Sequence, residues 1–348
     1  MNQFIHLPIS LLTSKSLVDM HLNFGSQLTL PSFIEFPNLN YLSLHYTSLV
    51  DYMGTSTVVL SCPSLESLSI EDGGVNPLKN LVIDAPKLEE FYITKLSCED
   101  VLDESAEIKV LAPNLIYFEC ENCMSRKFSF NDLSCLDHAC FGLMTNYYGD
   151  QFNAMKNINA RRMIEAVSPH IKYLTLNEEL AIESLFNFSF SLVIDKAFFG
   201  SPYVLENASM QFCNLKHLDL TVYLYRNSII AIMHLLKLSP GVETLYLDVT
   251  NEDPANMPKC DNLCISEESL LQHLRLVEIE GAMGSESELK LMEFVLKNAA
   301  VLEKVSICCS NNAKPHMLVN FNKKLNGIPR ASSPQISVPF PCHGRALL

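Results

Sequence analysis

Basic side chains are scarce in this sequence of 348 residues. It contains 25 Lys and Arg against 39 Asp and Glu, which gives a formal net charge of -14 at pH 7. Proteins that bind nucleic acid irrespective of its sequence rely on a basic surface, so this balance argues against a nucleic-acid partner. A protein partner with a basic surface is the better expectation.

Long apolar runs are also absent from the sequence. One of the longest stretches, Ile229–Met233, continues past His234 only to Leu236 and falls well short of the ~18 residues that a membrane span requires. The first twelve residues contain no Lys or Arg and are interrupted by Pro8, so they do not resemble a secretion signal. We therefore expect a soluble protein of the cytoplasm or nucleus, with no membrane partner.

The main regularity of the sequence is a repeated phrase of the form Pro-x-Leu-x-x-Leu-x-Leu. The first leucine, or the residue that replaces it, occurs at Leu17, Leu39, Leu65, Leu88, Leu115, Ile171, Leu215, Val242, Leu274 and Leu302. Successive copies lie 22 to 32 residues apart, except for two gaps of 56 and 44 residues that each correspond to two periods. We expect a degenerate copy in each gap, one at Leu133–Leu136 and one between Leu185 and Ile194.

Within each copy the apolar residues alternate, as they do in a β-strand with one buried face. A period of about 20 to 29 residues built on Leu-x-x-Leu-x-Leu is typical of leucine-rich repeats. The predicted fold is an α/β leucine-rich-repeat solenoid, in which a curved parallel sheet is backed by helices and irregular segments on the convex side. The alternative, a compact α/β domain with ordinary core strands, does not explain the proline at a fixed offset before most copies.

Two helices are predicted between the strands. Residues 229–238 have apolar side chains at helical spacing, with Asn227 or Ser228 available as the N-cap. Further along, Ser285 and Glu288 have the spacing of a capping box and precede a second apolar stripe. Both helices are expected on the convex side of the repeats.

The repeat register predicts which side chains face away from the core. In Leu-x-x-Leu-x-Leu-x, the third, fifth and seventh positions point to the exposed face of the sheet. These positions are rich in acidic residues and in tyrosine, a side chain favoured at protein interfaces. The candidate partner-binding residues are Tyr41, Ser43, Ser69, Glu90, Tyr92, Tyr117, Glu119, Glu121, Tyr173, Asp219, Tyr246, Asp248 and Glu278. The alternative is that they form an ordinary solvated strand face, since the whole chain is acidic.

The 12 cysteines are too few to serve as the main source of stability, and we expect buried thiols. Cys120 and Cys123, followed by Cys135, His138 and Cys140, have the local spacing of zinc ligands. The repeat register favours a structural role instead. It places Cys120 in the buried face of a strand and Cys123 at the ninth position, where leucine-rich repeats use Asn or Cys to satisfy the turn. No metal site is predicted. Of the vicinal pair Cys308 and Cys309, Cys308 is expected to be the more exposed.

Catalytic motifs are missing as well. The sequence has no glycine-rich nucleotide loop, no His-Glu-x-x-His and no Gly-x-Ser-x-Gly. We therefore predict a protein that recognises other molecules without catalysis and without a cofactor. Two kinds of partner remain open at this point, a folded protein or a small molecule.

Several phrases in the sequence resemble those of the plant F-box proteins that carry leucine-rich repeats and a C-terminal FBD region. The repeats resemble that family at 61–68, 83–90 and 213–220, and the C-terminal pattern is matched in order by 271–281, 288–304 and 329–333. The resemblance implies a leucine-rich-repeat solenoid over residues 1–262, an FBD-type region over 263–327 that continues the array, and a C-terminal tail over 328–348 that we expect to be flexible.

The same resemblance implies a role as the substrate-binding arm of an SCF-type ubiquitin ligase. Members of the family begin with an F-box that docks a Skp1-type adaptor, whereas the repeats of this chain begin near Leu17. We expect a Skp1-type partner only if an F-box lies upstream. The alternative implied by the family is a hormone- or metabolite-sensing receptor on the same scaffold.

Overall fold

A computed structural model describes residues 4–6, 9–12, 14–51, 57–71, 80–94, 106–123, 126–142, 150–177, 211–222, 226–249 and 271–338. The chain divides into two compact units, Met1–Ile171 and Lys172–Leu348. In both units the described strands are parallel and each lies beside the next copy of the repeat. The predicted α/β leucine-rich-repeat fold is confirmed.

The first unit consists mostly of strands. Its elements are β1 (Phe4–His6), α1 (Ile9–Leu12), β2 (Asp19–Leu30), β3 (Phe33–Glu35), β4 (Tyr41–Asp51), β5 (Thr57–Ser61), β6 (Ser67–Glu71), β7 (Asn80–Asp84), β8 (Glu90–Thr94), β9 (Glu107–Leu111), β10 (Tyr117–Glu121), β11 (Lys127–Phe130), β12 (His138–Gly142) and α2 (Asp150–Val167). They build two parallel sheets, with the strand orders β1-β2-β4-β6-β8-β10-β12 and β3-β5-β7-β9-β11.

The first of these sheets contains the repeated leucine phrases in register. Leu42 stands beside Leu68, Leu68 beside Phe91, and Phe91 beside Phe118 on successive strands. All four side chains are buried. The apolar positions of neighbouring repeats therefore form continuous rows in the core, as the repeat interpretation requires.

The second sheet was not predicted. We expected helices behind the first sheet, but the described segments between β2 and β12 contribute five short strands instead. Strands β3, β5, β7 and β9 are three to five residues long and alternate between buried and half-buried or exposed positions, as Val58 and Leu60 do in β5 and Ile108 and Val110 do in β9. Period-two alternation with β-branched side chains favours a strand, and so short a segment gains little from helix formation by itself.

Aromatic packing joins the two sheets of the first unit. The ring of Phe118, on β10, lies 5.6 Å from that of Phe91 and 6.0 Å from that of Phe141. It also lies 5.9 Å from Phe128 and 5.2 Å from Phe130, both on β11 of the second sheet. Phe118 has no exposed surface and is the centre of this cluster.

The recurrent proline occupies a turn that leads into the next strand. The Cys62 carbonyl accepts a hydrogen bond from the Leu65 amide at 3.1 Å, which closes a four-residue turn around Pro63. Pro86 and Pro113 occupy the same place in the following repeats. Because proline fixes φ near the value needed at the second position of such a turn and lacks an amide donor, it starts each strand at a defined point.

The degenerate repeat of the first long gap is present, but its predicted register was wrong. His138 pairs with Tyr117 and Ala139 with Phe118, so Leu136 takes the place of Leu115. Leu133 takes the place of the earlier turn residue Ala112, three residues before the strand-leading position. Leu133 and Leu136 have the spacing of the first two leucines of the phrase. For this reason the predicted start of the repeat was Leu133, three residues before the observed start at Leu136.

The second unit combines a parallel strand row with helices. Its described elements are β13 (Tyr173–Asn177), β14 (His217–Val222), α3 (Arg226–Leu238), β15 (Thr244–Val249), β16 (Leu276–Ala282), α4 (Glu286–Asn298), β17 (Lys304–Cys309), α5 (Pro315–Asn326) and β18 (Gln335–Ser337). Each of these strands pairs with the next, in sequence order. In the described part of this unit, helices lie between β14 and β15, between β16 and β17, and between β17 and β18; helices between strands were predicted.

The helix starts differ in how well they were predicted. Helix α3 begins at Arg226, so Asn227 and Ser228 lie in its first turn and neither is the N-cap that we predicted. The polar residues ahead of Ile229 are compatible with a first helical turn, since only later positions need to be apolar. Helix α4 confirms its prediction: Ser285 is the N-cap and forms a capping box with Glu288.

Three expectations concern segments at the limits of the described residues. Strand β18 pairs with β17, so the array extends into the segment that we predicted to be a flexible tail. The boundary predicted between residues 262 and 263, the repeat between Leu185 and Ile194, and the final segment 339–348 lie outside the described residues and stay predictions. Within the described part of the chain, no helix is long and apolar enough to cross a membrane.

Candidate protein-interaction surface

The exposed face of the first unit consists of three rows of side chains that run across the strands. Strand pairing aligns the third, fifth and seventh repeat positions from one strand to the next. The third-position row is Asp19, Tyr41, Ser67, Glu90, Tyr117 and His138; the fifth is His21, Ser43, Ser69, Tyr92, Glu119 and Cys140; the seventh is Asn23, His45, Glu71, Thr94, Glu121 and Gly142.

Strands β8 and β10 bring four of the predicted residues together. Glu90 pairs with Tyr117, and Tyr92 pairs with Glu119, so the two glutamates lie on one diagonal and the two tyrosines on the other. The tyrosine rings are 5.1 Å apart between centroids, with an angle of 36° between their planes. We call Glu90, Tyr92, Tyr117 and Glu119 the Tyr–Glu square.

Hydrogen bonds along each strand orient the carboxylates of the Tyr–Glu square. The Tyr117 hydroxyl donates to Glu119 Oε2 at 2.7 Å, and the Tyr92 hydroxyl donates to Glu90 Oε2 at 3.3 Å. Ser67 Oγ also donates to Glu90 Oε2, at 3.4 Å. Among the described residues, Oε1 of Glu90 and Oε1 of Glu119 accept no hydrogen bond, and neither carboxylate is ion-paired.

The surroundings of the two tyrosines raise the pKa of both phenols. Burial is the largest cause for each, and the adjacent carboxylate adds to it: Glu90 for Tyr92 and Glu119 for Tyr117. A phenolate would be desolvated and repelled by that carboxylate. Both hydroxyls therefore remain protonated at neutral pH and act as hydrogen-bond donors.

The remaining candidates of the first unit lie around the Tyr–Glu square. Ser69 is buried, with 4% of its surface exposed, and its hydroxyl donates to Glu71 at 2.8 Å. Tyr41, on β4, packs against His21, on β2, with 4.7 Å between ring centroids; both strands lie farther along the same sheet. Ser43 is half-buried in the same row as Ser69. Ser69 is a support for its neighbours more than a contact surface.

Because the register of the degenerate repeat was predicted wrongly, three residues of the exposed strand face were not among the predicted ones. His138 lies beside Tyr117, with 6.2 Å between the ring centroids, and its Nδ1 is 3.2 Å from Asp137. Gly142 stands opposite Glu121, and a Cβ at Gly142 would lie 3.0 Å from Glu121 Cγ. The absence of a side chain there leaves space for the glutamate. Cys140, the third residue, is buried beside Glu119. Alignment of Leu136 with Leu115 would have found all three.

In the second unit, the predicted residues form a separate group. Tyr173 stacks on His217 with 4.4 Å between centroids and only 3° between ring planes, and 37% of its surface is exposed. The fifth-position row places Asp219 beside Tyr246, and Tyr246 beside Glu278. Glu278 forms an ion pair with Lys304 at 3.7 Å.

Carboxylates are crowded around Tyr246. Burial raises the pKa of Asp219, and the negative charge of Asp248 raises it further. Asp248 has a raised pKa for the same two kinds of reason, burial first and then the charge of Glu280. Tyr246 also has a raised pKa, because it is partly buried and hydrogen-bonded to Glu280. Burial and neighbouring negative charge therefore make ionisation of these groups harder in the folded protein than in water.

The cysteines bear out the structural interpretation at Cys120 and Cys123. Cys120 is buried, and burial raises the pKa of its thiol. Cys123 Sγ lies 2.9 Å from the Glu121 carbonyl oxygen and 3.3 Å from that of Ile93, so its single S–H can donate to either and satisfies the turn as expected for the ninth position. The residues that the structure describes hold no group of His, Cys, Asp and Glu suited to a metal ion.

Other cysteines differ in how far the prediction of buried thiols holds. Cys135 and Cys213 are exposed, so for these two it was wrong. Both lie in the turns that precede a strand, where the side chain points away from the core. Cys308 is half-exposed and Cys309 is buried, as predicted.

Sequence comparison identifies the C-terminal part of the second unit. The FBD family model matches residues 268–307. Over 95% of its length the chain is 26% identical to the F-box/FBD/LRR-repeat protein At1g78750 of Arabidopsis thaliana, and it covers 68% of that relative. Over nearly its whole length the chain is similar to plant F-box/FBD/LRR-repeat proteins. A further relative from the same plant, F-box/LRR-repeat protein 13, is 27% identical over 94% of the chain and is covered to 68%.

The region matched by the FBD model contains β16, α4 and most of β17. It continues the parallel strand row, since β16 pairs with β15 on one side and with β17 on the other. Its conspicuous polar residue is Glu288, which is 1% exposed. Glu288 accepts hydrogen bonds from the amides of Met283, Gly284 and Ser285 at 2.9, 2.7 and 2.9 Å and so holds the turn that leads into α4.

Proposed function

We propose that this chain is the substrate-recognition arm of an SCF-type ubiquitin ligase, acting in the cytoplasm or nucleus, and that its exposed strand rows bind the protein substrate. The names of the relatives join F-box, FBD and leucine-rich repeats in one protein, which supports a role in protein–protein interaction. In that role the chain acts by binding, and the transfer of ubiquitin is carried out by other components.

One observation carries this proposal: the alignment of tyrosine and carboxylate side chains on the solvent-facing side of a parallel sheet in the first unit. Tyrosine offers a large contact area with little loss of conformational entropy, and carboxylates add charge complementarity. The three rows of this unit contain no Lys or Arg. A basic protein segment is therefore the partner that this surface favours.

Affinity purification with two matched chains tests the ligase role. One is the chain as given, and the other carries an F-box fused upstream. We expect both to retain the same substrate proteins in a cross-linked plant extract, and only the extended chain to retain a Skp1-type adaptor. Failure of the extended chain to recruit the adaptor, or loss of the substrates from it, would contradict the proposal.

A variant with altered rows links the purified substrates to the proposed surface. In the triple substitution Glu90→Lys, Glu119→Lys and Glu121→Lys, recovery of a true substrate should fall about tenfold or more, because attraction becomes repulsion. Recovery of the adaptor by the extended chain should not change. Substrates that bind the triple variant as well as the unaltered chain would place recognition elsewhere.

A further inference from the structure

We propose that the Tyr–Glu square binds an arginine side chain of the partner. This inference rests on the proposed recognition role and specifies its chemistry. The guanidinium would lie over the pair of tyrosine rings, with the carboxylates of Glu90 and Glu119 at its two ends. The partner segment would be extended and arginine-containing, so that one side chain reaches the sheet.

The geometry of the Tyr–Glu square suits a flat cation. From a strand spacing of about 4.8 Å and a rise of about 3.3 Å per residue, the backbones of Glu90 and Glu119 lie about 8 Å apart on the diagonal. The two rings occupy the other diagonal and are tilted by only 36°, which provides an aromatic platform between the carboxylates. Cations bind favourably over such ring faces.

The hydrogen bonds of the square leave the correct acceptors for this ligand. Each tyrosine hydroxyl is already a donor to Oε2 of the glutamate on its own strand, which fixes the carboxylate and points no donor at Oε1. In the described part of the chain, the two Oε1 atoms are without hydrogen bonds and no Lys or Arg pairs with either residue. Among the residues that the structure describes, these two negative charges thus have no counter-charge at the platform.

Arginine fits this arrangement better than lysine. Its planar guanidinium stacks on aromatic rings and carries five N–H donors that match carboxylates, whereas the lysine ammonium is a compact and strongly hydrated point charge. With a donor at each end of the plane, a single guanidinium can bond to Oε1 of both glutamates. A lysine can satisfy one of them while the other remains unpaired.

The acidic group around Tyr246 in the second unit differs in this respect. There Glu278 already has a cation, Lys304, at 3.7 Å. Its tyrosine also has no second tyrosine beside it, since its neighbours in the row are Asp219 and Glu278. Of these two groups, the Tyr–Glu square is the one in which two tyrosine rings lie between two carboxylates that have no ion pair among the described residues.

The test uses two fluorescein-labelled Gly-Ser peptides of equal length, one with three arginines and the other with three lysines at the same places. Fluorescence anisotropy with the full chain measures their affinities. We expect the arginine peptide to bind at least about fivefold more tightly than the lysine peptide, because stacking and two-carboxylate bonding add to plain charge attraction. Equal affinities, or no binding of the arginine peptide at about 1 mM, would overturn the proposal.

Matched variants distinguish specific binding by the Tyr–Glu square from attraction by the net negative charge of the chain. Glu90→Gln with Glu119→Gln should weaken arginine-peptide binding about tenfold and abolish the preference over lysine. Glu66→Gln with Glu89→Gln removes the same charge from exposed residues at the second repeat position, beside the square but outside its rows, and should change the affinity less than about twofold. An equal loss in both double variants would reduce the effect to net charge and refute the site.

The rings and the hydroxyls can also be separated. Tyr92→Phe with Tyr117→Phe keeps the platform and should retain the preference for arginine, whereas Tyr92→Leu with Tyr117→Leu should lose it. Thermal unfolding of each variant checks that the fold is retained, and the glutamine variants decide the question if the leucine variant unfolds. A preference that survives loss of both rings would contradict the stacking.

Failure of the arginine site and failure of the proposed ligase role give different experimental results. If the arginine preference is absent while the F-box-extended chain still recruits adaptor and substrate, the arginine site is wrong and the recognition role stands. If the preference is present and confined to the square while the extended chain recruits no adaptor, the site stands and the ligase role is wrong.

Discussion

The carboxylate of Asp219 is half-buried beside Asp248, and both circumstances raise its pKa. In the unfolded chain the pKa of an aspartate is about 3.9, so the folded form binds the proton more tightly. This carboxylate therefore costs stability at neutral pH, and the cost disappears as the pH falls from the raised folded value through the unfolded one. Asp219→Asn, which cannot ionise, should stabilise the protein at pH 7 by about 0.5 kcal/mol, a small gain because half-exposed charges are screened.

Urea unfolding at pH 7 and at about pH 4 checks this prediction, since the advantage of Asp219→Asn over the unaltered chain should shrink at the lower pH. Asp19→Asn, at an exposed position of the first unit, serves as the control and should show no comparable gain. An advantage of Asp219→Asn that grew at low pH would reverse the expected sign.

Glu288 is a residue whose burial is compensated by hydrogen bonds. Its carboxylate has a raised pKa because it is buried, although the hydrogen bonds that it accepts from three backbone amides favour the charged form. Glu288→Ala removes the acceptor of three N–H groups and should destabilise the second unit by about 2 to 3 kcal/mol. Urea denaturation measures the loss, and Glu286→Ala, an exposed neighbour in the same first helical turn, should cost less than about 0.5 kcal/mol. Similar losses in the two variants would show that the buried turn does not depend on Glu288.

At the scale of elements, Phe118 connects the two sheets of the first unit. It lies on β10 of the first, or front, sheet and packs against β11 of the second, or back, sheet. Phe118→Ala should destabilise the protein by about 3 to 5 kcal/mol, because it leaves a cavity between the two sheets. Ile116, two residues earlier, is 41% exposed, and Ile116→Ala should cost less than about 0.5 kcal/mol. Chemical denaturation compares the two, and a cost near 1 kcal/mol for Phe118→Ala would indicate that the sheets do not share this core.

The elements of the front sheet could be predicted because each is specified locally. The triplet Leu65, Leu68 and Ile70 carries the strand period and the buried face within six residues, and Pro63 marks the turn before it. The back strands carry the same period, for example at Leu81 and Ile83, but they lie outside the Leu-x-x-Leu-x-Leu phrase that marks the strands of the first sheet. Such a segment forms a strand because β7 pairs with β5 and β9, and that pairing involves residues more than twenty positions away.

At the scale of the whole molecule, the net charge of -14 and the row carboxylates should steer a basic partner toward the exposed strand face. Stopped-flow association with a purified substrate should therefore slow by about tenfold between 50 and 300 mM salt. The triple substitution Glu90→Lys, Glu119→Lys and Glu121→Lys should lose most of this dependence at nearly unchanged thermal stability, since all three side chains are at least partly exposed. Retention of the full salt dependence would assign the steering to other acidic residues.

The sequence by itself determined the repeat, the parallel strand row and the outward rows of tyrosine and carboxylate side chains, because each follows from a period-two pattern within a few residues. Tertiary structure alone decided the back sheet of the first unit, the register of the repeat that begins at Leu136, and the diagonal arrangement of Glu90, Tyr92, Tyr117 and Glu119. The physical reason is that these features depend on which strand lies beside which, and a pairing across more than twenty residues leaves no signature in either strand taken alone.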